Sequence, residues 1–317
     1  MAATPTSIDF SELESHRREL TAYCYRMLGS PFEAEDAVQE TLLRAWKAID
    51  RFEGRSQLRS WLYRIATNVC FDMLGGEKRR ARPMDMGPAG EPVAENLREL
   101  PEVTWIEPLP TPEDAAESSE SVRLAFVAAL QHLPAKQRAA LILCEVLHWK
   151  AAEAAELLET TTAGINSALQ RARATLETAE PSGTPATQLN ADERALLDRF
   201  VDAFQRYDIS LLTDLLAEDV QQNMPPFDLW LKGREDVFTW WFGPGIGCKD
   251  SIVIPAPAAN GSPAFGQYKP AENGEGHEPW ALIVVTDIQD GKIADLTFFL
   301  DTERLFPLFG LPLRPPG

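Results

Sequence analysis

Histidine and cysteine are scarce in this 317-residue chain, with four of each. Cys24, Cys70, Cys144 and Cys248 lie far apart, form no CxxC pair and do not cluster with the histidines. That excludes the common zinc spacings and argues against a disulfide framework, so free thiols in a reducing compartment are expected. No run of about 18 apolar residues is present, so no membrane span is expected. The N-terminal MAATPTSIDFSELE lacks the basic start and apolar stretch of a signal peptide, and the expected location is the cytoplasm. Bases are also few. There are 30 Lys and Arg against 48 Asp and Glu, a net charge of −18. A polyanion repels phosphate, so the chain as a whole is not a nonspecific nucleic-acid binder.

What is present is enough for two or three domains, with 44% apolar residues to build their cores. The acid is unevenly spread. Residues 181–317 hold 20 acids and 10 bases, and residues 82–119 hold nine acids against two arginines. The rest of the first 180 residues is nearly balanced, with 19 acids and 18 bases. Any DNA contact is therefore local and needs help from a partner.

Residues 9–81 read as helical. EAEDAVQETLLRAWKAI puts Ala34, Val38, Leu42, Trp46 and Ile49 on one stripe. LRSWLYRIATNVCFDML does the same with Leu58, Leu62, Ile65, Val69 and Met73, and Gly75 with following bases ends it. Residues 82–119 carry seven prolines and no sustained period, which predicts an extended or disordered linker. Its apolar piece, Val103, Trp105, Ile106 and Leu109, is a candidate docking point. Residues 120–179 are helical again, with Pro134 opening a helix. A second linker, 180–189, precedes an α+β domain over 190–317. There, helices near 191–206 and 210–217 are followed by strands at 251–256, 264–268, 280–288 and 292–300, the last two joined by a Gln-Asp-Gly turn.

Three constellations carry function. In 151–176, Ala155 suits a tight helix crossing, while Leu158, Ile165 and Leu169 can fill a shared core. The threonines at 160–162 can cap the second helix. That helix then turns Thr162, Asn166, Ser167, Gln170, Arg171 and Arg173 outward, side chains suited to base edges and phosphates. A plain helical hairpin gives the same pattern. The polar face of the 33–49 helix presents Asp36, Gln39, Glu40, Arg44 and Lys47, which a solvated face would also explain. Arg64, Asn68 and Asp72 share a face of the next helix with Ser60. Arg55, Arg59 and the cluster Lys78, Arg79 and Arg80 supply positive charge near its ends. Trp61 fits a core position better than a DNA wedge.

DAVQETLLRAW, RSQLRSWLYRIATNVCFDML, LPAKQRAALILCEVL and the helix-turn-helix follow one another in the order found in extracytoplasmic-function sigma factors, and this chain resembles that branch of the sigma-70 family over 9–178. The resemblance implies a domain 2 that holds the polymerase clamp through the Asp36–Trp46 helix and reads the minus-ten element between Phe52 and Asp72. It implies a domain 4 that reads the minus-thirty-five element and meets the polymerase flap, with the acidic linker threading the polymerase. Residues 190–317 resemble the cone-shaped SnoaL-like fold. Sigma factors carrying such a domain form subgroups, some with a linker motif similar to Thr104–Pro110, in which the extra domain regulates the factor in cis. The chain's own flexible linkers and aromatic-rich third domain lead to the expectation of an intramolecular contact between the C-terminal domain and the sigma domains. In this cone, Asp219, Asp228, Trp230, Trp241, Tyr268 and Trp280 are candidate pocket residues for an unidentified small-molecule effector. Catalysis, a metal and a cofactor are not expected. Two other readings are a one-component helix-turn-helix regulator with an effector domain, and a cyclase or isomerase fused to a helical module.

Overall fold

The structure is a computed structural model that describes residues 9–52, 57–75, 80–111, 124–178 and 189–315. The chain divides into two units: residues 1–80 with 127–180, and residues 81–126 with 181–317.

The first unit is helical. Asp9 caps α1 (Phe10–Glu14) by accepting from the Glu12 amide. Helix α2 (Arg17–Leu28) stops at Gly29, whose φ of +76° is left-handed and suits glycine. Ser30 then caps α3 (Pro31–Ala48), with Pro31 in the first turn where no donor is needed. Helix α4 (Leu58–Met73) buries Leu62, Tyr63, Ala66, Thr67, Val69 and Cys70. Two ends of the expected stripes depart from the pattern. Trp46 is 46% exposed and stacks edge-on with Phe10, and Met73 is 37% exposed. The helix period holds, but neighbouring helices cover these last turns only in part.

The second helical group is α5 (Leu124–Gln131), α6 (Ala135–Leu141), a π-helical turn (Ile142–Val146), α7 (Ala151–Leu157) and α8 (Thr162–Thr178). Arg138 is buried at its centre. Its guanidinium donates to the carbonyl oxygens of Leu130 at 2.9 Å and Leu133 at 3.1 Å, to Gln131 Oε1 at 2.7 Å, and to Met27 of α2. A buried cation is tolerable when its donors are satisfied in this way. Gln131 also donates to the Arg26 carbonyl at 3.3 Å, so the two helical groups share one polar seam.

The second unit is built on one sheet: β1 (Leu216–Asn223), β2 (Trp230–Lys232), β3 (Ile252–Ala259), β4 (Ser262–Pro270), β5 (His277–Gln289) and β6 (Lys292–Phe299), in the order β2-β1-β6-β5-β4-β3. β1 runs parallel to β6, and the other pairs are antiparallel. The Asp290–Gly291 turn has φ of +49° and +72°, as the Gln-Asp-Gly signal requires. Helices α9 (Ala191–Arg206), α10 (Ile209–Leu215) and α11 (Arg234–Phe242) pack on one face, where Phe200, Phe204, Trp241, Ile283, Leu296 and Phe298 share a core. α12 (Thr302–Leu308) covers the other face, with Phe306 edge-on to Tyr268 at 5.2 Å. This is the α+β cone expected from the sequence, with four elements more: β1, β2, α11 and α12.

The described part of the acidic linker, 82–111, belongs to this unit and is docked. Gly90 donates to the Trp230 carbonyl at 2.9 Å, Leu100 to Pro226 at 3.0 Å and Thr111 to Ala258 at 2.8 Å. Asn260 binds Leu109 through both its backbone amide and its side-chain oxygen. Trp105 and Ile106 are buried, and the bridge from Ala81 to Trp105 closes the segment into a loop. The apolar piece read as a docking point is thus seated on its own chain. Prolines and turns occupy the linker without a period because its partners are irregular strand edges.

Candidate nucleic acid interface and cavity

Five side chains on one face of α3 were expected to meet a partner. Asp36, Gln39, Arg44 and Lys47 are exposed and Glu40 is half-buried. Arg44 pairs with Glu40 at 2.7 Å and with Asp72 of α4 at 3.0 Å. Sequence reasoning passed over Leu43, which is 50% exposed in the middle of this charged face. Its signal was its spacing, four residues after Gln39 and three after Glu40. Together with the exposed Trp46, it gives the face an apolar centre suited to a protein partner.

On α4, Asn68 and Asp72 are exposed and Arg59 and Arg64 are half-buried. The two arginines are engaged. Arg59 Nε donates to Glu19 Oε2 at 2.7 Å, and its guanidinium lies 5.1 Å from the Tyr63 ring centre and 5.6 Å from that of Trp149. Tyr63 and Trp149 pack at 5.3 Å. Arg64 pairs with Glu156 of α7. Trp61 is half-buried and stacks on Phe52 at 5.0 Å. Arg80 departs from its expected role. Its side chain is 5% exposed and pairs with Glu33 at 3.0 Å, so it braces α3 and does not face a ligand. Arg55, Lys78 and Arg79 lie outside the described residues.

The paired helices α7 and α8 meet through Ala154, Ala155, Leu157, Leu158, Ile165 and Leu169, all buried. Thr161 Oγ1 accepts from the Gly164 amide at 3.0 Å and caps the second helix. Gly164 is needed there, because an added Cβ would come within 2.6 Å of Thr160 Oγ1. Thr162, Asn166, Ser167, Gln170, Arg171 and Arg173 are all exposed. Arg173 pairs with Glu145. The other polar side chains on this face form one open surface at the exposed side of a rigid helix pair, the geometry that enters a major groove.

The C-terminal domain holds a partly open cavity of about 280 Å³ between its sheet, α11 and the linker. Of the six expected pocket residues, Trp241 and Trp280 line it. Asp219 is exposed on β1, Asp228 pairs with Arg98 at 2.8 Å, and Trp230 donates to the Gly87 carbonyl at 2.9 Å. Tyr268 lies on the opposite face of the sheet, bonded to the Pro312 carbonyl. The period of two that sends Phe265 and Gln267 inward sends Tyr268 out. None of the described lining residues is an acid; the titratable ones are Tyr207, Cys248 and Lys269. Burial pushes the Tyr207 hydroxyl far up and the Cys248 thiol up to about 11. A buried carboxyl does occur elsewhere: Asp295, raised to about 6 by burial, accepts from Thr286 at 2.6 Å and faces Arg82 of the linker. Among the described residues no cluster of metal-ligating side chains occurs, and no helix is long and apolar enough to cross a membrane.

Comparison with known proteins gives the same division. Residues 13–80 match the family model for sigma-70 region 2, and residues 123–176 match that for sigma-70 region 4. The ECF RNA polymerase sigma factor SigG of Mycobacterium tuberculosis is 46% identical over 96% of this chain and 84% of its own length. SigJ of the same organism is 30% identical over 97% of this chain and 95% of its own length. The crystal structure of SigJ superposes with a TM-score of 0.62 at 22% identity, covering 96% of this chain and all of that one, which extends the likeness of fold through the C-terminal domain. These relatives are initiation factors and not enzymes, and the chain belongs to the extracytoplasmic-function sigma factors of RNA polymerase.

Proposed function

We propose that this sigma factor directs core RNA polymerase to specific promoters and is regulated in cis, through its linker, by its own C-terminal domain. The α3 face of Asp36, Gln39, Glu40, Leu43, Arg44 and Lys47 binds the polymerase clamp. The α4 region with Arg59, Arg64, Asn68 and Asp72 engages the minus-ten element. The α8 face from Thr162 to Arg173 reads the minus-thirty-five element, while the rest of that domain meets the flap. Core polymerase supplies the positive charge that a chain of net charge −18 lacks. The protein works in the cytoplasm, where its polymerase is.

The observation that carries the regulatory half is the docking of residues 82–111 on the C-terminal domain. A segment that must cross the polymerase between two promoter-binding domains cannot do so while Trp105 is buried and Arg304 holds Glu102 and Glu107. Release of that segment is the regulated step. The test is binding of the full chain to core polymerase, with the Trp105→Ala variant alongside. The variant is expected to load onto core polymerase faster than the parent. Equal loading rates contradict control through the linker, and failure of both to bind contradicts the sigma assignment of the α3 face.

A further inference from the structure

We propose that Asp287 of β5 and Asp295 of β6 share one proton, and that this proton fastens the first turn of the linker, Pro83–Asp85, to the sheet. The consequence for transcription rests on the reading that linker docking controls the factor; the shared proton itself does not.

The two residues are register partners on neighbouring strands, so their side chains leave the same face of the sheet. The ladder shifts on either side of Asp287, a bulge of the kind that re-aims a side chain. Each carboxyl is half satisfied, and in the same way. Thr286 Oγ1 donates to Asp295 Oδ2 at 2.6 Å, and Gln289 Nε2 donates to Asp287 Oδ2 at 2.6 Å. The Oδ1 atom of each is buried and has no hydrogen-bond partner among the described residues. Asp287 as a whole is only 4% exposed.

Two carboxylates side by side and away from water repel each other and leave costly unpaired acceptors. One retained proton resolves both problems. The protonated carboxyl becomes a donor, its neighbour's Oδ1 accepts, and the pair carries a single negative charge.

The linker enters as the roof of this site. The sheet supplies the floor, while Arg82 and Met84 of the linker, with Leu124 and Ala125, cover a gap of about 20 Å³ above it. Arg82 favours the ionised form of Asp295 and is itself paired with Asp85 at 3.0 Å. Asp287 opposes that form from β5. The other sheet residues at the gap, Asn223 of β1, Ser262 of β4, Thr286 of β5 and Thr297 of β6, are uncharged. Burial is the main cause that raises the Asp295 carboxyl, to about 6. Lifting the roof returns it to water, where the proton leaves more readily. A proton held more tightly in the docked state favours the docked state by linkage. The added hold on the linker is therefore full below about pH 4 and is lost as pH rises through about 6.

The experiment uses the full chain with isotope-labelled aspartate. NMR follows the two carboxyl carbons, each assigned by its loss in Asp287→Asn or Asp295→Asn. The signal of Asp287 is expected to move in step with that of Asp295 between pH 4 and pH 7. An Asp287 signal that does not follow Asp295 overturns the shared proton. Hydrogen exchange then reads the linker at Met86, which donates to the Pro83 carbonyl, and at Gly90, which donates to the Trp230 carbonyl. After correction for intrinsic rates, both amides are expected to exchange about three- to tenfold more slowly at pH 5 than at pH 7. In Asp295→Asn, whose amide donates at every pH, they are expected to stay slow at both. Protection that is the same at pH 5 and pH 7 in the parent chain overturns the fastening of the linker. At pH 7, Asp295→Asn is expected to load onto core polymerase several-fold more slowly than the parent. Equal loading, with exchange slowed as expected, contradicts control through the linker and leaves the shared proton standing.

Discussion

Arg64 Nη2 of α4 stands 3.3 Å from Glu156 Oε1 of α7, so an arginine of the region 2 helices is paired with the first of the two paired helices of region 4. Arg59 is held in a similar way, between Glu19 and the Trp149 ring. Two arginines of the first helical group are therefore engaged in the free chain, Arg64 by Glu156 and Arg59 by Glu19 with Trp149 beside it. The ion pair is exposed and contributes at most about 1 kcal/mol, but Tyr63 and Trp149 add a ring contact worth about 0.5–1.5 kcal/mol.

Trp149→Ala loosens that arrangement. The variant is expected to lose about 1–2 kcal/mol of stability and to bind duplex DNA several-fold tighter at low salt, because Arg59 and Arg64 become available. Fluorescence anisotropy with a labelled duplex and a denaturant titration check the two effects. Unchanged DNA affinity would show that the pairing hides nothing.

The α8 face gives the opposite signature. Asn166→Ala, Gln170→Ala or Arg171→Ala removes an exposed side chain, so stability should move by no more than about 0.5 kcal/mol. Promoter binding should weaken by about 1–3 kcal/mol for each side chain that reads a base. Footprinting of the polymerase complex on promoter and on scrambled DNA separates specificity from general affinity. A loss that is equal on both assigns the residue to phosphate.

Arg80→Ala should behave as a core variant. Its side chain is buried and its partner Glu33 is 35% exposed. Removing it is expected to cost about 1–3 kcal/mol, less than the ~3–5 kcal/mol of a fully enclosed pair. Thermal unfolding measures this. A drop in promoter affinity with no change in stability would restore Arg80 to the DNA face.

Asp295 makes stability depend on pH. Burial raises its folded pKa to about 6, against partial relief from Thr286 and Arg82 and a further push from Asp287. The folded state then binds a proton that the unfolded state releases near the ordinary carboxylate value, so this group's contribution falls as pH rises from about 4 to about 6. Asp295→Asn is expected to flatten that slope and to stabilise the chain at pH 7 by on the order of 2–3 kcal/mol. Urea titrations at pH 4.5 and pH 7 check the sign.

Much of this was legible in the sequence. The order of helices, the exposed α8 residues and the α+β character of 190–317 follow from periodicity and from turn chemistry at Asp290–Gly291. What was missed has physical causes. β1 carries Glu218, Asp219, Gln221 and Gln222, so it lacks the apolar run of an ordinary strand, and its place is set by pairing with β6. Charge near a helix end looks alike whether it meets DNA or a half-buried glutamate of the same domain, which is why Arg80 was read with the DNA-facing bases. Asp219 and Asp228 attracted attention as carboxylates, while the polar side chains that line the cavity are Tyr207, Gln222, Cys248, Gln267 and Lys269, which carry no sequence signature. The linker's composition reads as disorder because its backbone bonds to residues such as Trp230, Pro226, Ala258 and Asn260, and its Glu102 and Glu107 pair with Arg304 of α12, partners that only the folded domain supplies.

Promoter-directed transcription by core polymerase, with the full chain and with a chain lacking residues 190–317, tests the central claim most directly. The account predicts promoter-specific transcripts with the full chain, none with core polymerase alone, and a changed level on the same promoters once the linker has lost its docking domain. Transcription that is the same with and without residues 190–317 would contradict regulation in cis, and absence of any promoter-specific transcript with the full chain would contradict the account as a whole.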